Sequence, residues 1–166
     1  GVVTLFPHME FRDVAREFIF VVDRSGSMSD TWETSHLKRE PRRQIDHARE
    51  ALLLFLRALP PSSFFNVVSF GSSFSPLFET SQPYDQTSLE LATQYAQYMG
   101  ADMGGTEILA PLRYALKSKQ HHHRMERQIF VLTDGQVGNE ADVFDLIRGM
   151  CKRKQEDGEE GGRRAR

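Results

Sequence analysis

The fold of this chain is decided by the stretch Phe18-Ile19-Phe20-Val21-Val22-Asp23-Arg24-Ser25-Gly26-Ser27-Met28. Its first part, from Phe18 to Val22, is apolar and rich in β-branched and aromatic side chains, which predicts a strand buried on both faces of a parallel sheet. The apolar run stops at Asp23, and hydroxyl side chains follow at Ser25 and Ser27. Because open α/β sheets bind ligands beyond the carboxyl ends of their strands, we expect a binding site in this loop.

The loop after this strand offers only oxygen ligands. One carboxylate and two hydroxyls, with no thiol or imidazole, suit Mg²⁺, which keeps several waters and leaves a coordination position for another ligand. Mn²⁺ and Ca²⁺ are the alternative ions for such oxygen ligands. The sequence therefore predicts a magnesium-type site after the first strand.

The length and composition favour one small α/β domain. The 166 residues are 39% hydrophobic and include 12 Phe, which suffices for one core. The 21 basic and 23 acidic residues give a formal charge of -2, so the overall charge favours neither nucleic acid nor an anionic membrane surface. No apolar run approaches the roughly 20 residues of a membrane-spanning helix, and we expect no membrane insertion.

Cysteine usage and the first residues bear on the compartment. The one cysteine, Cys151, excludes an internal disulfide and is compatible with a reducing compartment. It lacks a histidine or asparagine motif to pair with, so it is not interpreted as a catalytic thiol. Residues 1–7 lack the pattern of a signal peptide. The absence of Met at position 1 suggests a piece of a longer protein.

Strands and helices alternate along the chain. Apolar residues from Ile45 to Leu59 recur at helical spacing, which predicts a helix that begins near Arg42 and stops at Pro60. Residues 64–70 predict the second strand, and residues 74–78 predict a short strand that returns beside it as an antiparallel edge hairpin. A further helix carries a capping-box signature and an apolar face, at Thr87, Glu90, Leu91, Tyr95 and Met99.

The next helix and strand carry the rest of the expected site. Pro111 is tolerated only in the first turn of a helix, which places a helix start close to Thr106. Thr106 alone would be interpreted as a helix N-cap, a role compatible with metal binding. Residues 128–133 predict the third long strand, which ends at Asp134, and residues 141–150 predict a last helix.

This alternation predicts a three-layer, doubly wound α/β fold with a mostly parallel sheet, one short antiparallel edge strand and helices on both faces. Residues 1–16 are interpreted as a strand and linker from an upstream element, residues 17–151 as the domain, and residues 152–166 as a disordered charged tail. The histidines at 121–123 are interpreted as a solvated loop, with a transition-metal site as the alternative.

Three loops are expected to converge at one edge of the sheet. Asp23 and Asp134 each follow a parallel strand, and Thr106 begins a helix at the same edge, so that these residues can surround one ion with the two serines. Taken singly, each aspartate is more often a turn or cap residue. Arg24 beside the site is interpreted as a solvated surface arginine, with attraction of an acidic partner as the alternative.

The motifs resemble the von Willebrand factor A domain family, whose metal-ion-dependent adhesion site combines Asp-x-Ser-x-Ser with a separate Thr and a separate Asp. All positions of that motif match in chain order, at Asp23, Ser25, Ser27, Thr106 and Asp134. The wording of residues 17–28, 104–112 and 130–135 further resembles the group called von Willebrand factor A domain-containing protein 5, in its B branch.

The resemblance implies a function and a site chemistry. Ser25, Ser27 and Thr106 would coordinate Mg²⁺ through their hydroxyls, whereas Asp23 and Asp134 would act largely through bound water. A carboxylate of a protein partner would complete the shell, so the chain would be an adhesion-type binding module that performs no chemistry. The resemblance also implies an upstream VIT domain and favours an intracellular location.

The resemblance covers residues 17–150 and departs from the family pattern after them. A complete domain would continue with further strands and a final helix, so the resemblance implies a domain truncated at its C-terminus, without its last strands. The strand at Ile129 to Leu132 would then be an exposed apolar edge. We therefore expect the chain alone to be marginally stable.

Two other functions are kept open. A hydrolase or phosphoryl-transfer enzyme would use Asp23 as its nucleophile and a metal to neutralise phosphate charge. Against it, Ser25 stands where such an enzyme usually carries a second carboxylate, and the sequence has neither a phosphate loop nor a Gly-x-Ser-x-Gly elbow. The third function is a scaffold whose site is empty in the cell.

Overall fold

The computed structural model describes residues 16–31, 42–120 and 125–135, together with residues 142, 143, 145, 146 and 148. The chain divides into two units, Gly1–Gln136 and Val137–Arg166. The strands of the first unit are β1 (Arg16–Asp23), β2 (Phe64–Phe70), β3 (Phe74–Pro76), β4 (Gln82–Pro83) and β5 (Glu126–Leu132). Its helices are α1 (Gln44–Ala58), α2 (Gln86–Tyr98) and α3 (Leu109–Lys117), and a 3₁₀ turn spans Gly26–Ser29.

The strand β1 lies at the centre of the sheet, parallel to both of its neighbours. The strand order is β3-β2-β1-β5, and β4 pairs antiparallel with the start of β2. The register places Asp23 opposite Phe70 of β2 and Val22 opposite Leu132 of β5. The carboxyl ends of the three long strands therefore meet at one edge of the sheet, where the predicted site residues follow.

The side chains of β1 alternate between two helical layers. Phe18, Phe20 and Val22 belong to the core that includes residues of α1 and α2. Ile19 and Val21 are also buried and face the opposite side, where α3 packs against β1 and β2. Burial on both faces explains why β1 reads as a continuous apolar run, and it confirms the prediction for this strand.

Helix α1 covers one face of the sheet with an apolar stripe. The residues that it buries recur at helical spacing, at Ile45, Ala48, Leu52 and Leu56. The ring of Phe55 lies 5.9 Å from that of Phe20 and 5.4 Å from that of Phe130, measured between centroids. Aromatic pairs at such distances add roughly 0.5–1.5 kcal/mol beyond the burial of their area. This cluster ties α1 to both β1 and β5.

A buried ion pair joins β1 and β5 near their starts, at the edge of the sheet opposite the predicted site. Glu17 is only 1% exposed, and its Oε2 accepts a hydrogen bond from Arg127 Nε at 2.7 Å. Its Oε1 accepts another from the Ser81 hydroxyl at 2.6 Å. The remaining Arg127 nitrogens donate to the carbonyl oxygens of Ala115 and Ser118 at 2.7 and 2.8 Å. The pair is therefore fully hydrogen-bonded and links β1, β5 and the end of α3.

The predicted fold class is confirmed. The long strands are parallel, helices cover both faces, and β2 and β3 form the antiparallel edge hairpin. The second short antiparallel strand, β4, was not predicted, because Gln82 and Pro83 carry no strand pattern. It exists through pairing with Phe64 and Phe65, which fixes the turn that leads into α2.

The start of α2 differs from the prediction. The N-cap is Asp85, whose carboxylate accepts a hydrogen bond from Ser88 N at 2.9 Å, while the Ser88 hydroxyl accepts one from Asp85 N at 3.2 Å. Thr87, the predicted cap, already lies in the first turn of the helix. The capping box is therefore real but begins two residues earlier than the predicted one, because the extended backbone before the helix ends at Asp85.

The buried face of α2 also differs in one residue. Tyr95 and Met99 lie on the inner side as predicted, but Leu91 is 50% exposed. The fully buried residues are Ala92 and Ala96, whose small side chains let α2 pack closely against α1. The larger Leu91 is excluded from this tight contact.

Helix α3 begins at Leu109, later than the predicted start close to Thr106. Its N-cap is Ile108, without a side-chain cap, so Thr106 is not the N-cap. The reason is that the segment before the helix is bound to the residue that follows β2, with Glu107 N donating to Gly71 O at 2.8 Å. Pro111 lies in the first turn of the helix, as predicted.

Several predictions fall outside the described residues, namely most of the linker at 1–16, the histidines at 121–123 and the tail at 152–166. Arg16 belongs to β1 and not to the linker. In the second unit, the described residues 142, 143, 145, 146 and 148 are helical, which agrees with the predicted last helix. The domain boundaries stay predictions. Among the helices described, none has the length and apolar character needed to cross a membrane.

Candidate metal centre

Two loops that carry predicted site residues are joined by backbone hydrogen bonds at the carboxyl edge of the sheet. Gly26 N donates to Gly104 O at 2.7 Å, and Met103 N donates to Arg24 O at 3.0 Å. These bonds place the segment before Thr106 directly against the loop after β1. Backbone hydrogen bonds therefore hold these two loops together, independently of their side chains.

The hydroxyls of Ser25 and Ser27 form the closest pair among the predicted ligands. Their Oγ atoms lie 3.0 Å apart and share a hydrogen bond. Ser25 precedes the 3₁₀ turn and Ser27 lies inside it, so the tight turn brings the two side chains together. In an octahedral Mg²⁺ site with metal–oxygen distances of about 2.1 Å, neighbouring oxygens lie about 3.0 Å apart. The spacing of the two hydroxyls therefore fits two adjacent coordination positions.

The carboxylate of Asp23 is buried, with 0% of the residue exposed. Its Oδ1 accepts a hydrogen bond from Ser25 N and its Oδ2 accepts one from the Thr133 hydroxyl, each at 2.8 Å. Within the described ranges, no Lys, Arg or His side chain forms an ion pair with it. A buried carboxylate without a cation destabilises the folded state, so a divalent ion at this edge would compensate its charge.

The loop after β5 reaches the site through Thr133, a residue that the sequence analysis did not single out. The Thr133 hydroxyl donates to Asp23 and accepts from Gly135 N at 3.2 Å. Gly135 has a φ of +86°, a conformation that favours glycine. This turn places Asp134 beside Thr133, with its Oδ2 atom buried. The available signal was that Thr133 directly precedes the predicted ligand.

Thr106 lies on a backbone that is fixed on both sides. Gly105 N donates to Ser72 Oγ at 2.7 Å, and Glu107 N donates to Gly71 O at 2.8 Å. The Thr106 residue is half-buried, and its hydroxyl makes no hydrogen bond within the described part of the chain. Ser72 is a second residue that sequence reasoning missed, because an exposed serine in a turn carries no distinguishing pattern.

The five predicted ligands are thus connected in two ways. Direct hydrogen bonds join Asp23, Ser25 and Ser27. Thr106 and Asp134 are connected to this group through chain neighbours that bond to it or to its loop. The assignment of all five as ligands of one ion stays a prediction.

Arg24 is not the solvated arginine that the sequence suggested. Its side chain is 13% exposed, and each of its nitrogens donates a hydrogen bond. Nε donates to Gly100 O at 2.8 Å, Nη1 to Tyr95 Oη at 3.1 Å, and Nη2 to Asp102 Oδ1 at 2.6 Å. The guanidinium also lies 5.8 Å from the centre of the Tyr95 ring, a favourable cation–π distance. Because its donors are used internally, Arg24 is not positioned to attract an acidic partner.

The family of the chain follows from comparison with known proteins. The sequence model of the von Willebrand factor type A domain matches residues 16–156. The chain belongs to the von Willebrand factor type A (VWA) domain family. VWA domains generally mediate protein interactions.

This VWA domain is similar to those of the von Willebrand factor A domain-containing 5 proteins. It is 40% identical to human protein 5B1 over 132 residues, which are 80% of this chain and 10% of that protein. It is 39% identical to rat protein 5A over 143 residues, which are 86% of this chain and 16% of that protein. The resemblance to this group is confirmed, with similar identity to both branches, and the chain spans only a small part of these relatives.

Solved structures share the fold of this VWA domain. BatB from Bacteroides thetaiotaomicron matches with a TM-score of 0.57 and 20% identity, over 74% of this chain and 55% of that chain. The SpRpn10 VWA domain matches with a TM-score of 0.51 and 15% identity, over 87% of this chain and 71% of that chain. At these identities the similarity concerns the fold alone.

The ligand chemistry of this VWA domain fits a hard divalent cation. In the described residues, no group of three His, Cys, Asp or Glu side chains could hold a metal. An ion at the carboxyl edge would therefore depend on the serine and threonine hydroxyls as much as on carboxylates. Such an oxygen set suits Mg²⁺ and lacks the nitrogen and sulfur ligands that favour zinc.

Proposed function

We propose that this VWA domain is an adhesion-type module that binds Mg²⁺ and, through it, an acidic side chain of a protein partner. The ion would be held by the hydroxyls of Ser25, Ser27 and Thr106, and through water by Asp23 and Asp134. Mn²⁺ or Ca²⁺ could replace Mg²⁺ in this oxygen set. The observation that carries the proposal is the 3.0 Å pair of hydroxyl oxygens beside a fully buried aspartate.

When bound, the ion would supply an electropositive position that attracts a carboxylate. The residues of the chain prepare that position. Asp23 holds the Ser25 amide and, through Thr133, the loop after β5. The glycines of these loops, Gly26, Gly104 and Gly105, are exposed and have no side chain of their own to hinder a partner side chain.

We propose that no bond is made or broken at this site. The enzyme alternative requires Asp23 to attack a substrate, yet this residue is buried and both of its oxygens accept hydrogen bonds from the protein. A nucleophile must reach the reacting atom at hydrogen-bond distance, which an enclosed carboxylate does not do. The geometry of Asp23 supports a structural role over a nucleophilic one.

Metal binding is tested by calorimetric titration of the EDTA-treated chain with MgCl₂. We expect one site in the wild type and an affinity at least about tenfold lower in Asp134→Ala, because even outer ligands usually contribute that much. Asp142→Ala, which changes an exposed aspartate of the second unit, is the matched control and should bind like the wild type. A wild type that binds no Mg²⁺ would favour the scaffold with an empty site.

Partner chemistry is tested by selecting peptide binders from a random display library in the presence of Mg²⁺. We expect selected peptides to share an Asp or Glu whose change to Asn or Gln abolishes binding. EDTA should release them. Peptides that still bind in EDTA, or that still bind a variant with both Asp23→Ala and Ser25→Ala, would contradict a metal-bridged carboxylate.

A further inference from the structure

Arg24 holds the segment before Thr106 from two directions. Its carbonyl oxygen accepts a hydrogen bond from Met103 N at 3.0 Å. Its side chain donates to Gly100 O at 2.8 Å and to Asp102 Oδ1 at 2.6 Å. The residue therefore contacts the start, the middle and the end of the segment 100–103, while lying between the first two predicted ligands of the metal.

The same guanidinium connects this segment to the sheet and to α2. Nη1 of Arg24 donates to Tyr95 Oη at 3.1 Å, and Tyr95 Oη donates to Ser69 Oγ of β2 at 2.7 Å. Arg24 N also donates to Phe70 O at 2.8 Å. Arg24 thus connects the segment to two rigid elements, β2 and α2.

Only Gly104 and Gly105 separate this fixed segment from Thr106. Gly104 O accepts a hydrogen bond from Gly26 N, so the first of these glycines is already bound to the loop between Ser25 and Ser27. Conformational freedom removed from residues 100–103 is therefore removed from Thr106 as well. A ligand ordered during folding does not have to be ordered during binding, which raises affinity.

We propose that Arg24 is a positioning residue of the metal site, whose guanidinium fixes Thr106 relative to Ser25 and Ser27 without contacting the ion. This inference rests on the proposed Mg²⁺ function and extends it. It gives the residue between Asp23 and Ser25 a role that its position in the motif does not indicate. The ion pair with Asp102 balances the charge of the guanidinium, which lies beside a site expected to hold a cation.

The chain offers a matched control in Arg49. Its Nη2 donates to Met99 O at 2.7 Å, the carbonyl next to the one that Arg24 binds. Arg49 therefore holds the same end of α2 from helix α1, but in the described part of the chain it forms no hydrogen bond or ion pair with the loop after β1. Replacing either arginine removes a hydrogen bond to the residues that follow α2, and only Arg24 belongs to the loop after β1.

The first measurement is Mg²⁺ affinity by calorimetry at a temperature where each variant is folded. We expect Arg24→Ala to weaken binding roughly 10- to 100-fold, as the loss of an orienting partner of a metal ligand usually does. Arg24→Lys should bind with intermediate affinity, because one ammonium cannot replace a planar fork that reaches three acceptors. Arg49→Ala should destabilise the fold yet bind Mg²⁺ like the wild type.

The second measurement is amide hydrogen exchange in the metal-free protein. We expect the amides of Gly26 and Gly105, which bond to Gly104 O and Ser72 Oγ, to exchange faster in Arg24→Ala than in the wild type. Arg49→Ala should leave both rates unchanged. If Arg24→Ala does not fold, Tyr95→Phe replaces it, with a smaller loss of affinity and faster exchange at the same two amides.

The outcomes separate the two proposals. A wild type that binds Mg²⁺, with Arg24→Ala binding equally well, overturns the positioning role and leaves the proposed function intact. Unchanged exchange at Gly26 and Gly105 in the Arg24 variant also overturns the positioning role. A wild type that binds no Mg²⁺ overturns the proposed function, and with it the metal role of Arg24.

Discussion

At the scale of single residues, the alternating serines after β1 extend one position beyond the predicted ligands. Ser25, Ser27 and Ser29 follow one another at every second position. The 3₁₀ turn brings Ser27 to within 3.0 Å of Ser25, whereas Ser29 is exposed. Ser27 and Ser29 are therefore a matched pair, of which only Ser27 is a predicted ligand.

Ser27→Ala should weaken Mg²⁺ binding by at least about tenfold, because it removes one oxygen of the closest hydroxyl pair. Ser29→Ala should leave the Mg²⁺ affinity unchanged. This control shows whether the loss in Ser27→Ala is specific to that serine. Calorimetric titration of both variants and the wild type is the measurement. Equal loss in the two variants would indicate a change of the turn and not loss of a ligand.

Gly71 is required by the close approach of the segment before Thr106. A Cβ atom at this position would lie 2.2 Å from Met103 O, a distance that neither backbone can absorb without moving. Gly71→Ala should therefore lower the free energy of unfolding by about 1–3 kcal/mol, as overpacking usually does. Gly100→Ala is the control, since its Cβ would meet nothing closer than 3.9 Å. Urea unfolding of both variants is the measurement. Equal stabilities would contradict the close approach of Met103 to Gly71.

The residues that sequence reasoning missed share one property. The roles of Thr133 and Ser72 and the internal hydrogen bonds of Arg24 all depend on partners far away in the chain, such as the bond from Thr133 to Asp23 across 110 residues. A local pattern carries no information on such partners. The five predicted ligands, in contrast, form a motif whose order and spacing can be recognised in the sequence itself.

At the scale of elements, the ion pair of Glu17 and Arg127 fixes β1 against β5. Both side chains are buried, with 1% and 8% of their side-chain surface exposed. Arg127→Met should lower the free energy of unfolding by about 3–5 kcal/mol, because it leaves a buried carboxylate without its cation. The double variant with Glu17→Met should be more stable than Arg127→Met alone. Urea unfolding of the set is the measurement.

A neighbouring pair on the same strands is the control for that prediction. Arg16 and Glu126 lie 3.8 Å apart, and the Glu126 side chain is 63% exposed. Ion pairs exposed in this way contribute roughly 0–1 kcal/mol, so Glu126→Gln should change stability very little. A loss at Glu126 equal to that at Arg127 would show that burial is not the deciding factor.

The N-cap of α2 can be distinguished experimentally from the N-cap predicted from the sequence. Asp85→Ala should lower the free energy of unfolding by about 0.5–2 kcal/mol, because it removes the acceptor of Ser88 N. Thr87→Ala, at the predicted cap, should change it by less than about 0.5 kcal/mol, as exposed substitutions usually do. Thermal unfolding of the two variants is the measurement. A larger loss in Thr87→Ala than in Asp85→Ala would contradict Asp85 as the N-cap.

The sequence located the elements well and their ends less well, for a physical reason. The long strands are predicted by continuous apolar runs, and α1 is predicted by an apolar stripe. Both patterns extend over many residues. The starts of α2 and α3 depend on a few hydrogen bonds, between Asp85 and Ser88 and from Glu107. Several nearby polar residues fit such roles, and tertiary packing selects one.

At the scale of the whole molecule, metal binding should stabilise the fold. An ion that binds only the folded chain adds about 2.7 kcal/mol when its concentration is 100 times Kd. For a chain of this size we expect a rise of about 5 to 10 °C in Tm between EDTA and saturating MgCl₂. Asp23→Ala should abolish the rise. A Tm in the wild type that is independent of Mg²⁺ would contradict the proposed site.

The open side of the sheet also belongs to this scale. Among the described strands β5 pairs only with β1, and Ile129, Phe130 and Val131 on it are half-buried. The expectation that the chain alone is marginally stable remains a prediction. A cooperative melt of a soluble monomer at high temperature would contradict it.

The order of the strands has a consequence for synthesis on the ribosome. The oxygen-rich turn emerges early, but Asp23 receives the hydroxyl of Thr133 only after another 110 residues have been added. Pairings of such long sequence separation form slowly and late. With the proposed site, a nascent chain would bind the ion only when β5 has docked, and a bound ion would report that the central sheet is assembled.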